Sequence, residues 1–150
     1  MNEPRQNDLR VVQVSTPQQW EAYHEIRRSV LFDVRGLAGY DANHPDDRMP
    51  GHLPMLLMIG STPVGAARLD LIGDNEATVR TVAIHSDFQR RGLGRALMKG
   101  LDEFAALHGI ERLMVHAARD AVGFYEALGW TIIDAARENP VLMKELRGNT

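Results

Sequence analysis

The sequence predicts a mixed α/β domain, a sheet of about seven strands flanked by about four helices. Three observations point there. Short aliphatic and β-branched runs (VVQV, MLLMI, VGAARLDLI) come first, separated by turn residues, and read as antiparallel strands. A strand, a helix and another strand follow over residues 79–117, and a crossover of that kind pairs its two strands in parallel. Finally, 150 residues with 44% hydrophobic and 25% charged side chains make one domain of ordinary size with a proper core.

Each element has a local reason. Residues 1–8 form a polar lead-in, and Leu9–Val14 is the first strand, carrying Val11, Val12 and Val14. Thr16-Pro17-Gln18-Gln19 matches a capping box with proline at the first helical position. The helix it opens runs to about Val34, with Tyr23, Ile26, Val30 and Val34 along one stripe. Arg27, Arg28 and Arg35 fall off that stripe, on its expected solvated side. Gly36–Pro54 is irregular, because its glycines, prolines and Asp/Asn residues break both periodicities. Met55–Ile59 and Val64–Ile72 make a hairpin across Gly60-Ser61-Thr62-Pro63, and Gly73-Asp74-Asn75 turns the chain into the central strand ending at Ile84. Leu93, Leu97, Leu101, Phe104 and Ala105 then recur at helical spacing until Gly109, a natural stop. Strand Arg112–Ala117, a short helix Asp120–Leu128, and closing strands Trp130–Asp134 and Val141–Leu146 complete the order.

Composition excludes several chemistries. With 17 basic against 20 acidic side chains the formal charge is −3, which argues against a general nucleic-acid binder. No cysteine is present, so disulfides, thiolate metal sites and a cysteine nucleophile are ruled out. No run approaches the roughly 20 apolar residues of a membrane span, and MNEPRQNDLR lacks an apolar signal core. A soluble, cytoplasmic protein is the expectation.

The chemistry concentrates between the central strand and the long helix, in Ser86-Asp87-Phe88-Gln89-Arg90-Arg91-Gly92-Leu93-Gly94-Arg95. A helix start leaves backbone N–H groups without intrahelical partners and carries the positive end of the helix dipole. Glycines at 92 and 94 let an anion approach that backbone, and Arg90, Arg91 and Arg95 add full charges that pair with phosphate oxygens. This is a phosphate cradle. Its spacing fits neither G-x-x-x-x-G-K-[ST] nor G-x-G-x-x-G. Gln89-x-x-Gly92-x-Gly94, after Val82-Ala83-Ile84 and before Phe124-Tyr125-Glu126-Ala127-Leu128-Gly129-Trp130, resembles the Q/R-x-x-G-x-G/A and FYExxGF signatures of the Gcn5-related N-acetyltransferases (GNAT).

The resemblance covers nearly the whole chain. It implies the family's V-splayed sheet and acetyl-coenzyme A as co-substrate, its pyrophosphate on the main chain of Gln89, Arg90, Arg91, Gly92, Leu93, Gly94 and Arg95. The pantetheine arm would lie along Val82, Ala83 and Ile84, supplying hydrogen bonds that a splayed strand lacks. Tyr125 would be the general acid for the departing thiolate, a phenol being protonated at neutral pH. The general base stays open among Glu76, His85, His116, a water or none. Many family members carry an asparagine where this chain has Ala118, so that contact to the pantetheine end is missing. The irregular 36–54 segment would help form the acceptor wall, with Tyr40, Asp41, His44, Asp46, Asp47 and His52 as candidates for reading a cationic amine. His and Asp there match no standard metal spacing. The expected reaction is acetyl transfer to the primary amine of a small-molecule or peptide acceptor, directly in a ternary complex. The alternative is a non-catalytic acyl-CoA-binding module, and homodimerisation is left open.

Overall fold

A computed structural model describes residues 8–146, so all of the polar lead-in but Asp8 lies outside the described residues. The elements are β1 (Leu9–Gln13), α1 (Pro17–Arg28), β2 (His52–Ile59), β3 (Thr62–Ile72), β4 (Glu76–Ile84), α2 (Leu93–Leu107), β5 (Arg112–His116), α3 (Val122–Ala127), β6 (Thr131–Asp134) and β7 (Val141–Glu145). The seven strands form one mixed sheet in the order β1-β2-β3-β4-β5-β7-β6, with β4 and β5 parallel and every other pair antiparallel. The α/β architecture expected from the sequence is therefore present. Three α-helices are joined by a π-helical turn (Ser29–Asp33) and by 3-10 turns such as Pro45–Arg48.

The Thr16 capping box forms: Gln19 N–H donates to Thr16 Oγ1 at 3.1 Å, and Gln19 Oε1 accepts from Thr16 N at 3.0 Å. Both faces of the sheet are covered, which explains why β2 reads as an unbroken apolar run. Met55 and Leu57 pack with Leu97, Met98 and Leu101 of α2, while Leu56 and Met58 pack with Tyr23 and Ile26 of α1. Each fully buried aliphatic side chain contributes about 1.5–3 kcal/mol.

Some boundaries differ from expectation. β2 starts at His52, ahead of Pro54, a residue that by itself signals a break. The proline is tolerated because β1 ends at Gln13, opposite Met55, so no ladder donor is required of it on that side. β3 begins at Thr62, paired with Ile59, which shortens the hairpin turn to Gly60 and Ser61. Arg27 is a larger correction. It is buried rather than solvated, because an acid from the 36–54 segment folds back onto it. No helix among the described residues is long and apolar enough to cross a membrane.

Candidate active site

The cradle is built by a sequence of turns. His85 Nδ1 accepts from Asp87 N–H at 3.1 Å, starting the 3-10 turn Ser86–Phe88. Gln89 folds its side chain back and donates from Nε2 to the Ile84 carbonyl at 2.9 Å, tying the turn to the end of β4. Arg90 (φ 66°) and Gly92 (φ 77°) are both left-handed, and Gly92 is the N-cap of α2 with no side chain capping it. The first intrahelical bond runs from Ala96 N–H to Gly92 O at 3.2 Å, so the N–H groups of Leu93, Gly94 and Arg95 open outward. A Cβ at Gly92 would meet nothing within 4 Å. An anion can therefore come directly onto this backbone.

Every expected cofactor residue except Arg91 lines one groove of about 490 Å³, joined by Val30 and Phe124. Arg91 instead holds its guanidinium 5.5 Å from the Phe88 ring centroid.

The groove continues along a split in the sheet. β4 pairs with β5 from Glu76↔Arg112 to Val79↔Val115 and no further, so residues 80–84 have no ladder partner on the β5 side. This is the splay. On the other side, Ala66↔Ala83 and Arg68↔Arg80 leave Thr81 and Val82 opposite Ala67 alone, a β-bulge. Thr81 there has φ 55°, a left-handed conformation that costs a β-branched residue about 1–3 kcal/mol.

A second cavity of about 380 Å³ lies in the split, bordered by Thr81, Val82, Val115, His116, Ala118 and Tyr125 among others. Val82 lines both cavities, so the two adjoin at that residue. Tyr125 is buried, edge-on to Phe124 and Trp130 at 5.2 and 5.4 Å between ring centroids. Burial pushes its phenol above the ordinary value, so it stays protonated. Of the three candidate bases, His116 alone borders this cavity. Glu76 sits at the far end of β4, accepting from Arg112 Nη1 at 2.8 Å, and His85 is engaged in its turn.

A third cavity of about 310 Å³ contains Phe32, Tyr40, Asp41, His44, Asp46 and Asp47 beside Arg27, Arg68, Arg80 and Thr81. Arg80 and Thr81 line both this cavity and the second. His52 is not part of it, its Nδ1 lying 2.6 Å from the Asp46 carbonyl oxygen. Asp47 is not a free carboxylate either. Arg27 Nη1 donates to both its oxygens at 2.9 Å, Arg68 Nη1 at 3.0 Å and the Tyr23 hydroxyl at 3.2 Å. Burial alone would raise Asp47, but the bonds and charge of Arg27, with Arg68 and Tyr23 behind it, outweigh that and hold it below the usual carboxylate range. Asp47 is thus part of the cavity wall, held by arginines rather than left for a cationic amine. Tyr40 is fixed by His24, whose Nδ1 lies 2.5 Å from its hydroxyl.

Two features had no place in the sequence reading. The π-helical turn puts Val30 on the first cavity, Leu31 on the second and Phe32 on the third, forming one wall of all three. Arg68 and Asp70, two residues apart in an otherwise apolar strand and so on one face, were the available signal for the buried ion cluster.

Comparison with known proteins places this geometry. A Bacillus subtilis protein named as an acetyltransferase is 26% identical over 123 residues, covering 81% of this chain and 83% of that one. The fold matches a Lactobacillus plantarum protein named as an N-acetyltransferase at TM-score 0.80, with 20% identity over 93% of this chain and 99% of the other. It also matches the PaiA N-acetyltransferase of Thermoplasma acidophilum, solved in complex with coenzyme A, at TM-score 0.72, with 14% identity over 91% and 98% of the two chains. Residues 20–130, which hold the splayed strand, the cradle and Tyr125, match the acetyltransferase (GNAT) family, and the chain belongs to it.

Proposed function

We propose that this protein transfers the acetyl group of acetyl-coenzyme A to the primary amine of an acceptor, directly, in a ternary complex. One observation carries the reading: the uncapped, glycine-opened start of α2 and the unpaired edge of β4 line adjoining cavities that meet at Val82, and the second is bordered by a buried, protonated tyrosine. Bound there, the co-substrate supplies an activated thioester carbonyl. The N–H groups of Leu93, Gly94 and Arg95, with Arg90 and Arg95, hold its diphosphate. The main-chain groups in Val82, Ala83 and Ile84 that β5 leaves unpaired orient its amide-rich arm, and an N–H in that stretch polarises the carbonyl. Tyr125 donates its proton to the departing sulfur, and His116 is the titratable side chain placed to take one from the attacking amine. With no cysteine in the chain, an acyl-enzyme on a thiol is excluded, which favours direct attack.

The test is calorimetric titration with coenzyme A, followed by an amine panel monitored by thiol release, which a cysteine-free protein reports without background. Binding heat and amine-dependent release are the expected results. Binding without turnover of any amine would leave a binding module, and absence of binding would overturn the reading altogether.

A further inference from the structure

The floor of the third cavity is an ion cluster whose charges do not balance. Arg68 is bidentate on Asp70, Nε to Oδ1 at 2.7 Å and Nη2 to Oδ2 at 3.0 Å, and shares Asp47 with Arg27. Arg80 reaches the same Asp70 through Nε at 3.3 Å. Three guanidinium groups (Arg27, Arg68, Arg80) therefore meet two carboxylates (Asp47, Asp70), and 3 − 2 leaves one positive charge. Both carboxylates are nearly inaccessible, with side chains 3% and 11% exposed, and both are already shared between arginines. The surplus falls on Arg80, whose side chain is 50% exposed and whose two terminal nitrogens have no hydrogen-bond partner among the described residues.

Arg80 stands where acceptor and thioester must meet. It borders the cavity that holds Tyr125 and His116 and also the one walled by Phe32 and Tyr40. Beside it, Thr81 borders the same two cavities, and its buried Oγ1 has no hydrogen-bond partner. An orphaned hydroxyl next to a solvent-facing guanidinium fork is a donor set for a carboxylate. The other charges facing the third cavity, Asp41, Asp46 and His44, belong to the loop rather than to this floor. Asp41 accepts from Asn43 N–H at 2.8 Å, and Asp46 lies 3.8 Å from His44 with 47% of its side chain exposed. Neither acid borders the second cavity, where Arg80 faces no carboxylate among the described residues.

Resting on the acetyl-transfer reading above, we propose that Arg80 and Thr81 select the acceptor by its carboxylate, so that the substrate is a small amino acid-type molecule rather than a simple amine or polyamine. Cavities of about 310 and 380 Å³ suit a small molecule of this kind.

The experiment measures thiol release at saturating acetyl-coenzyme A for free α-amino acids, their carboxamides and their decarboxylated amines. The free acids are expected to lead by roughly 10- to 100-fold in kcat/KM, the range of a charge-assisted hydrogen bond lost. Arg80→Gln is expected to lower kcat/KM by that factor for the acid and by less than threefold for its decarboxylated counterpart, chiefly through KM. Arg80→Lys should fall between. If amides or decarboxylated amines match the acids in the wild-type protein, the proposal is overturned while acetyl transfer stands, whether or not the variants fold. Coenzyme A binding without turnover of any of the three kinds overturns the proposal and leaves acetyl transfer to the wider amine panel, and no coenzyme A binding removes the functional reading on which the proposal rests.

Discussion

Gly92 combines a positive φ with open space where a side chain would be. Replacement by aspartate introduces backbone strain and puts a carboxylate on the path of a diphosphate. Gly92→Asp is accordingly expected to weaken coenzyme A binding by about 100-fold or more in calorimetry, since repulsion replaces a charge-assisted contact. A variant that binds coenzyme A normally would show that the cradle is elsewhere. Tyr125 is the complementary residue. Its ring is packed, yet its hydroxyl has no hydrogen-bond partner among the described residues, so Tyr125→Phe should leave folding nearly unchanged while kcat falls by about 100-fold or more. Because burial raises the phenol's pKa, the acid form persists beyond the ordinary tyrosine value of about 10. The wild-type kcat is therefore expected to show no loss attributable to this group up to that pH, and an alkaline limb near neutrality would point to a different acid.

At the scale of elements, α2 must lie very close to β1. Gly100, in the middle of α2, faces Val11, and a Cβ there would overlap the valine side chain. Helix propensity favours alanine over glycine by about 1 kcal/mol at an interior position. Overpacking usually costs about 1–3 kcal/mol, and here it meets a branched side chain on a strand rather than a flexible tip. Gly100→Ala is expected to be net destabilising in urea or thermal unfolding. An increase in stability would mean that β1 can move away at no cost. Close seating of α2 also fixes the direction in which its first N–H groups point, linking this packing to the cradle. The π-helical turn after α1 is a second device of this scale, because it bends the chain so that three consecutive residues reach three cavities.

For the molecule as a whole, the ion cluster ties α1 and the Pro45–Arg48 turn to β3 through side chains. Removing one carboxylate leaves buried guanidinium groups without a partner. Asp47→Asn is thus expected to cost about 3–5 kcal/mol in unfolding free energy. The sign with pH follows from the direction of the shift. Asp47 is lowered on folding, so its stabilisation is complete above the ordinary aspartate value of about 3.9 and is lost as pH falls through the lower folded value. The wild-type protein should lose stability in that acid range, and Asp47→Asn should lose less there; equal acid sensitivity would remove Asp47 as a cause. Coenzyme A acts on the whole fold too. At 100-fold excess over its dissociation constant it contributes about 2.7 kcal/mol, which raises the melting temperature of a domain this size by roughly 5–10 °C.

The same scales separate what the chain announces from what folding adds. The capping box, the helical stripe of α2, the hairpin and the Gln89–Gly94 turn each depend on residues within a few positions of one another, and local periodicity or backbone freedom makes them readable in the sequence. The cradle turn and the order of strands and helices belong to this class, whereas the splay is implied only by the family resemblance. Arg27 and Asp47 do not: they are 20 residues apart, and a charged residue off an apolar stripe looks the same whether water or a distant carboxylate meets it. Pro54 likewise reads as a breaker until the neighbouring strand is seen to end before it. The family, the order of the elements and the glycine-opened turn were thus determined by sequence alone. The bulge at Thr81, the π-turn wall and the surplus charge on Arg80 were decided by tertiary structure, because long-range pairing and desolvation exist only once the sheet is assembled.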